Sequence, residues 1–368
     1  MKRALWLTVA ILAGAAVPMA AQDRPRLYTG LEMRTLSFDP GLGTASLSQT
    51  IIPIGLAVPL GRRLSLDAGV RFATSTREDE AGASTTLSGL TDTQLRGVFQ
   101  VIPNTLLLTL SANLPTGKTE LTDDELLVAG AMADDLIAFP VSSYGTGFSL
   151  TSGLAAAVPL GGWALGLAGS YRFSGEFTPV ADTSGATYKP GAEMRFRVGL
   201  DRLVGQGRLS LGLTYSTFSV DEFAGSEAFR PGKRLVAQAS WSFPIGNHGL
   251  ALYAWNYYRA SGQVADALGG AATGRQDIVT LGLSGSIQIG RSVLRPTLEW
   301  RQLLEEDAGS MVNAGTLISA GVRLRMQLGN RYALIPSVRY DFGGLDNDAG
   351  TRVGFGGLSA SVTLRATL

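Results

Sequence analysis

The chain has 368 residues, a formal charge of +1 and no Cys. Zero Cys excludes a disulfide scaffold, thiolate metal sites and a lipid anchor on an N-terminal Cys. Charged residues make up 17% and Gly numbers 47, a balance that suits neither a disordered chain nor an Arg/Lys-driven nucleic-acid binder, so no nucleic-acid partner is expected.

The chain opens on a pattern of export. Lys2 and Arg3 precede an apolar run from Ala4 to Val17 that is too short to span a bilayer as a helix. Pro18 ends the run, and Met19-Ala20-Ala21 supplies small residues before Gln22. Residues 1–21 are read as a cleaved signal and 22–368 as a single domain. The first strand, Leu27 to Phe38, starts close behind the expected cleavage site, which argues against a large N-terminal plug.

From there the dominant period is two. Leu209, Leu211, Leu213 and Tyr215 alternate with Ser210, Gly212, Thr214 and Ser216. The same alternation runs through Trp163 to Phe173 and through Val279 to Ile289, and it marks strands with one apolar and one polar or small face. These runs reach about ten residues or more, the length a tilted strand needs to cross a bilayer. The uncharged window Gly147 to Tyr171 tempts a helical reading. Pro159-Leu160-Gly161-Gly162 sits in its middle, and a Pro with two Gly would cost a helix about 5 kcal/mol. Two strands and a tight turn fit better.

Short turns fall near Pro59-Leu60-Gly61, Pro103-Asn104, Pro159-Leu160-Gly161, Gly205-Gln206-Gly207, Pro244-Ile245-Gly246, Gly290-Arg291 and Gly329-Asn330. Longer polar connections fall near 39–49, 75–88, 115–144, 176–190, 220–231, 262–275, 305–313 and 343–350. Short turns on one side and long loops on the other are the layout of a transmembrane barrel. Eight loops imply an all-β, antiparallel up-and-down barrel of about sixteen strands, with fourteen and eighteen as alternatives. The final strand places Leu358, Ala360, Val362, Leu364, Ala366 and Leu368 on one face, like the C-terminal signal of outer-membrane proteins, with Leu in place of the usual terminal aromatic. The expected location is the outer membrane of a Gram-negative-type bacterium, reached with the barrel-assembly machinery as a transient partner and outer-membrane lipid as the permanent one.

If the apolar face meets lipid, the other face lines a lumen. It carries Arg34, Arg71, Arg96, Arg172, Arg195, Arg197, Arg295, Glu299, Arg301, Arg323, Arg325 and Arg339 as expected pore-lining residues. Further charges on that face are Glu32, Asp67, Asp92, Glu193, Asp201, Arg208, Arg234, Asp341 and Arg365. An Arg at mid-bilayer on the lipid face would cost about 2–4 kcal/mol, so this segregation supports the barrel. The ionic interior reads equally as cross-strand pairs that tie the wall or as a water-filled channel whose field favours anions. The outer loops lean acidic through Glu78, Asp79, Glu80 and the third-loop residues Asp123, Asp124, Glu125, Asp134 and Asp135. Thr122-Asp123-Asp124-Glu125 has capping-box spacing, which predicts a helix over about 123–138. That loop, 115–144, is the expected constriction or gate, folded inward or lying across the mouth.

Catalytic chemistry is not expected. The chain has one His, His248, in the short turn Gly246-Asn247-His248-Gly249, so no Ser-His-Asp set can form in the lumen. Asp346-Asn347-Asp348-Ala349-Gly350 is an incomplete calcium-loop fragment. No metal site or cofactor is expected.

Three segments resemble the outer-membrane proteins associated with the meta-pathway of phenol degradation, relatives of the long-chain fatty-acid transporters. They are Gly89-Leu90-Thr91-Asp92-Thr93-Gln94-Leu95, Leu114-Pro115-Thr116-Gly117-Lys118 and Tyr144-Gly145-Thr146-Gly147. The resemblance covers about residues 85–175 and implies a barrel that passes small, often apolar or aromatic molecules. The leading expectation is therefore a channel for small-molecule solutes, anionic or aromatic, narrowed by the third loop. The alternative is a closed structural or adhesive barrel that binds a partner through its outer loops. Monomer and trimer are both compatible with the sequence.

Overall fold

The computed structural model describes residues 24–181, 185–347 and 349–368. The expected signal, 1–21, lies outside the described residues, as does Asp348 of the calcium-loop fragment.

Strands dominate. In chain order they begin with β1 (Arg26–Phe38), β2 (Ser46–Leu60), β3 (Leu64–Glu78), β4 (Ser84–Leu90), β5 (Thr93–Ile102), β6 (Leu106–Leu114), β7 (Ser149–Leu160) and β8 (Trp163–Ser174). There follow β9 (Tyr188–Lys189), β10 (Glu193–Val204), β11 (Gly207–Phe218), β12 (Asp221–Phe223), β13 (Ser226–Arg230), β14 (Arg234–Ile245) and β15 (His248–Arg259). The last are β16 (Gln263–Val264), β17 (Gln276–Ile289), β18 (Ser292–Asp307), β19 (Ser310–Leu328), β20 (Tyr332–Asp346) and β21 (Arg352–Thr367). Among the described residues one α-helix, α1 (Asp123–Met132), interrupts them between β6 and β7, and a 3-10 turn spans Asp266–Leu268.

The main sheet has 17 segments. Both β4 and β5 pair with β3, so they are two halves of one strand broken at Thr91-Asp92. Sixteen barrel strands result, each antiparallel to its neighbours, and β21 pairs with β1 along its length to close the ring. Closure gives the first and last strands each other as partners, as spanning a bilayer with strands demands. A 12-residue strand such as β7 is about 40 Å long and, tilted near 45°, covers the apolar core.

The alternation read from the sequence sets inside and outside. In β1, Leu31 and Met33 point out at 44% and 52% exposure, while Arg34 and Leu36 point in at 4% and 0%. Ile54, Leu154, Leu281, Leu298 and Val362 extend the exposed apolar belt around the ring. Such a continuous belt far exceeds the apolar patches of soluble proteins and is a lipid-facing surface. Trp163 opens β8, Trp241 and Phe243 stack near the end of β14 with ring centroids 4.8 Å apart, and Tyr332 opens β20. These rings sit at the short-turn end, where an interfacial girdle belongs. Arg202, outward at the same end, lies over the Trp163 ring at 5.3 Å, a boundary position from which a long cation reaches headgroups.

The turns at the short-turn end fall where the sequence placed them. Gly246 takes a φ of 59° between β14 and β15, which a side chain would oppose. At the other end several loops are shorter than expected: β2 begins at Ser46 within 39–49, and β20 runs to Asp346 within 343–350. Residues 75–88 and 305–313 mostly continue the strands, and β18 and β19 are joined across Ala308-Gly309 alone. Their alternation weakens above the membrane because both faces there meet water. The connections around β9, β12, β13 and β16 form a separate small sheet at the long-loop end.

Candidate functional site

The third loop folds into the barrel. Its helix starts with a complete capping box: Glu125 N–H donates to the Thr122 hydroxyl at 3.4 Å, and the Thr122 N–H donates to the Glu125 carboxylate at 3.2 Å. Lys118 pairs with the same carboxylate. The helix ends at Met132, six residues before the expected boundary at 138. There the Asp134 carboxylate accepts the Ile137 N–H at 2.8 Å, a local bond that replaces the helical ladder.

Beyond the helix the loop crosses the upper lumen. Val128, Met132, Leu136, Ile137, Phe139, Val141 and Tyr144 are buried against inward side chains of the wall, among them Leu36, Leu47, Ile51, Leu87, Ile278 and Leu317. Polar wall residues grip the loop backbone. Arg34 donates to the carbonyls of Ile137 (2.8 Å) and Ala138 (3.0 Å), and Arg301 donates to that of Leu136 (2.8 Å). Gln49 bonds both ways with Val141, donating to its carbonyl at 2.7 Å and accepting its N–H at 3.0 Å. Arg71 reaches the Pro140 carbonyl at 3.5 Å. The Tyr144 hydroxyl meets Ser75 at 2.8 Å and the Leu87 carbonyl at 3.0 Å.

Asp92 stands at the break between β4 and β5 rather than in the open lumen. Its carboxylate accepts the N–H groups of Gly117 (3.0 Å) and Thr146 (2.7 Å), so it clasps the entry and exit of the third loop together.

The expected pore-lining residues all lie on inward strand positions, in distinct settings. Arg34 and Arg339 both pair with Asp341, at 2.9 and 3.0 Å, and Ser319 donates to it at 2.6 Å. Arg301 pairs with Glu299 at 3.0 Å, and the Tyr253 hydroxyl reaches the same carboxylate at 3.1 Å. Arg96 faces Asp67 across β3 and β5. Arg195 and Arg172 meet Glu193 at 2.7 and 3.9 Å yet stay 53% and 40% exposed. Arg197 lies one inward step below Arg195 on β10, and Arg295, Arg323 and Arg325 line the lower lumen on β18 and β19.

The acidic third-loop residues separate. Asp123 and Asp124 remain exposed at the mouth, and Glu125 belongs to the helix cap. Asp135 approaches Arg259 of β15 at 4.0 Å. Burial pushes the Asp134 carboxyl above its ordinary range, with the Asp135 charge adding to it against the Ile137 N–H.

Cavities lie along the inner wall. One of about 430 Å³ lies beneath the loop, lined by its Pro140 and by Arg34, Arg295, Arg323 and Arg339 among hydroxyl side chains. The second, about 380 Å³, lies on the β11–β15 side and includes Ser210, Gln238, Tyr253 and Trp255. The inward ring stripe Tyr253, Trp255, Tyr257 was not singled out from the sequence, because both faces of β15 are apolar or aromatic. The signal was Gly282 opposite Tyr253, where a Cβ would collide with the phenol ring. Arg301 stacks over Trp255 at 5.3 Å. His248 is exposed at the start of β15 and accepts the Gln288 N–H at 3.3 Å.

Fold and site together define a class: a transmembrane β-barrel of the outer-membrane type, with a charged lumen and an inward-folded third loop. No family model matches the chain, and no curated protein matches it in sequence. Among solved structures it is similar to a bacterial polysaccharide outer membrane secretin, at 8% identity over 94% of this chain and 99% of that one, with a TM-score of 0.50. It is also similar to the CymD monoaromatic hydrocarbon channel (13% identity, 98% and 92% coverage, TM-score 0.46). A third is OmpT, an outer membrane protein of Vibrio cholerae (9% identity, 94% and 97% coverage, TM-score 0.42). The first of these shows a shared barrel fold and nothing finer.

Proposed function

We propose that this barrel is a bacterial outer-membrane channel for small solutes, constricted by its third loop and favouring anions. One observation carries the reading. The third loop is held across the lumen by Arg34, Arg301 and Gln49, while Arg172 and Arg195, on the β8–β10 wall, stay 40% and 53% exposed. A barrel serving as a mere wall would bury its interior cations in pairs, because an unscreened buried charge costs several kcal/mol. Exposed guanidinium groups inside a ring whose outside is apolar imply water in the lumen, and a charged, hydrated lumen selects ions by sign.

The resemblance of residues 85–175 to the phenol-degradation family supports passage of small molecules and adds aromatic ones to the candidates. Its segments meet at the Asp92 clasp. Reconstitution of the purified protein into planar bilayers and liposomes tests the reading. Stepwise conductance and solute-driven swelling are expected. Silent bilayers together with unswollen liposomes would leave the closed, partner-binding barrel as the better account.

A further inference from the structure

We propose that the cavity beneath the third loop is a binding subsite for a small hydroxy-carboxylate, a carboxylate carried on a short hydroxylated body. The proposal rests on the channel reading only for how the solute arrives. Arg295 and Arg323 face each other directly across β18 and β19. Like charges in that position destabilise a sheet, and no ion pair joins either residue to a described carboxylate. One inward step away, Arg339 faces Gly321 across β19 and β20. Four arginines therefore surround a cavity whose lining has one carboxylate, Glu32, with Asp341 buried behind Arg34 and Arg339. A bound anion removes the repulsion, and guanidinium forks match a carboxylate with two parallel hydrogen bonds.

A second observation is independent of charge. Ser359 lies between Arg34 on β1 and Arg339 on β20, directly opposite both. The residue lines the cavity, and its hydroxyl oxygen is buried with no hydrogen-bond partner among the described residues. An unsatisfied buried hydroxyl is costly, so a ligand that hydrogen-bonds this one gains from a group already placed.

The rest of the lining selects the body of the ligand. Ser284, Thr297, Ser337 and Ser361 add hydroxyls, while Ile51 and Pro140 of the third loop form a small apolar roof. Aromatic rings are not part of it; Tyr253 and Trp255 line the neighbouring cavity instead. Hydroxyl groups donate and accept, so this wall complements a polyol chain better than a ring. A volume of about 430 Å³ holds one small solute and not an oligomer.

Gluconate is the probe. Its binding to the detergent-solubilised full chain is measured by equilibrium dialysis, and its block of chloride current in bilayers is measured in parallel. Saturable binding is expected, at least tenfold tighter than that of benzoate or inorganic phosphate. Arg295→Gln and Arg323→Gln should each weaken it about tenfold, as loss of a charge-assisted hydrogen bond does. Ser359→Ala, a change that folding tolerates more readily, should weaken it several-fold. Heat-modifiable migration verifies that each variant is folded. Binding without any conductance would overturn the channel reading and uphold the subsite. Conductance without saturable gluconate binding, tighter binding of benzoate or phosphate, or wild-type affinity in folded Arg295→Gln and Ser359→Ala would each overturn the subsite.

Discussion

Arg34 does two jobs with one guanidinium: it neutralises Asp341 and it holds the carbonyls of Ile137 and Ala138. At 4% exposure its charge is sustained by those partners. Arg34→Met keeps an unbranched apolar stem, shorter than that of Arg, and removes all three bonds. Asp341 would retain Arg339 and Ser319, so the loss should fall near the lower end of that for a broken buried pair, about 3 kcal/mol. The expected outcome is an earlier midpoint in urea unfolding and faster protease cutting near residues 136–141. A second residue sets a pH response outside the membrane. The N–H groups of Gly41, Leu42 and Gly43 all donate to one Glu80 carboxylate oxygen, at 2.6, 3.0 and 2.9 Å. The Gly41 bond above all, then those of Gly43 and Leu42, holds the carboxyl below its ordinary value of 4.5. A depressed carboxylate stabilises the folded form fully above its unfolded pKa and loses that contribution as pH falls through the folded value. Protection of amides 41–43 from hydrogen exchange should therefore be level from neutral pH down to about pH 5 and fall below about pH 4. In Glu80→Gln it should be low and insensitive to pH across that range.

At the scale of elements, the proposed channel has the third loop as its constriction. Removing residues 120–143 and joining Thr119 to Tyr144 takes out the helix and the crossing segment but spares Gly117 and Thr146, which bind Asp92. Single-channel conductance should rise at least twofold, and the upper wall, stripped of its apolar cover at Leu36, Leu47 and Leu87, should bind apolar dyes. An unchanged current would place the constriction elsewhere. The strands were legible because period two survives wherever one face meets lipid, and it puts Arg34 on the inward phase of β1 and Arg202 on the outward phase of β10. The destination of the loop was not read. Its partners Arg34, Gln49, Ser75 and Arg301 are scattered over 268 positions, and each looks like any other inward polar group. A signal was present nonetheless. Leu36, Leu47, Ile51 and Leu87 are apolar on the face that is otherwise charged or hydroxylated, and apolar inward residues clustered at one end of several strands announce something to cover them. The break between β4 and β5 hid for a different reason. Leu90 and Leu95 both point outward at 46% and 40% exposure, a phase slip of one residue that a short sequence run does not separate from irregular loop.

For the molecule as a whole, the ion preference of the proposed channel depends on where the charges stand and how well each is screened. The mouth carries Asp123, Asp124 and Glu80 on exposed loops, within reach of bulk salt. At physiological ionic strength the Debye length is about 8 Å, so these groups act over a short range in a wide vestibule. Inside the ring, Arg172, Arg195, Arg295 and Arg323 project into a lumen narrowed by the third loop, between low-dielectric walls that concentrate their field. The lumen should therefore win, and reversal potentials in a tenfold KCl gradient should show chloride favoured over potassium. Screening sharpens the expectation: the preference should weaken as total salt rises from about 0.1 to 1 M, since the Debye length falls to about 3 Å. Arg295→Gln with Arg323→Gln should move the reversal potential toward zero, whereas neutralising Asp123 and Asp124 should change it little. A potassium preference in the wild type that disappears on neutralising the two aspartates would assign selectivity to the mouth.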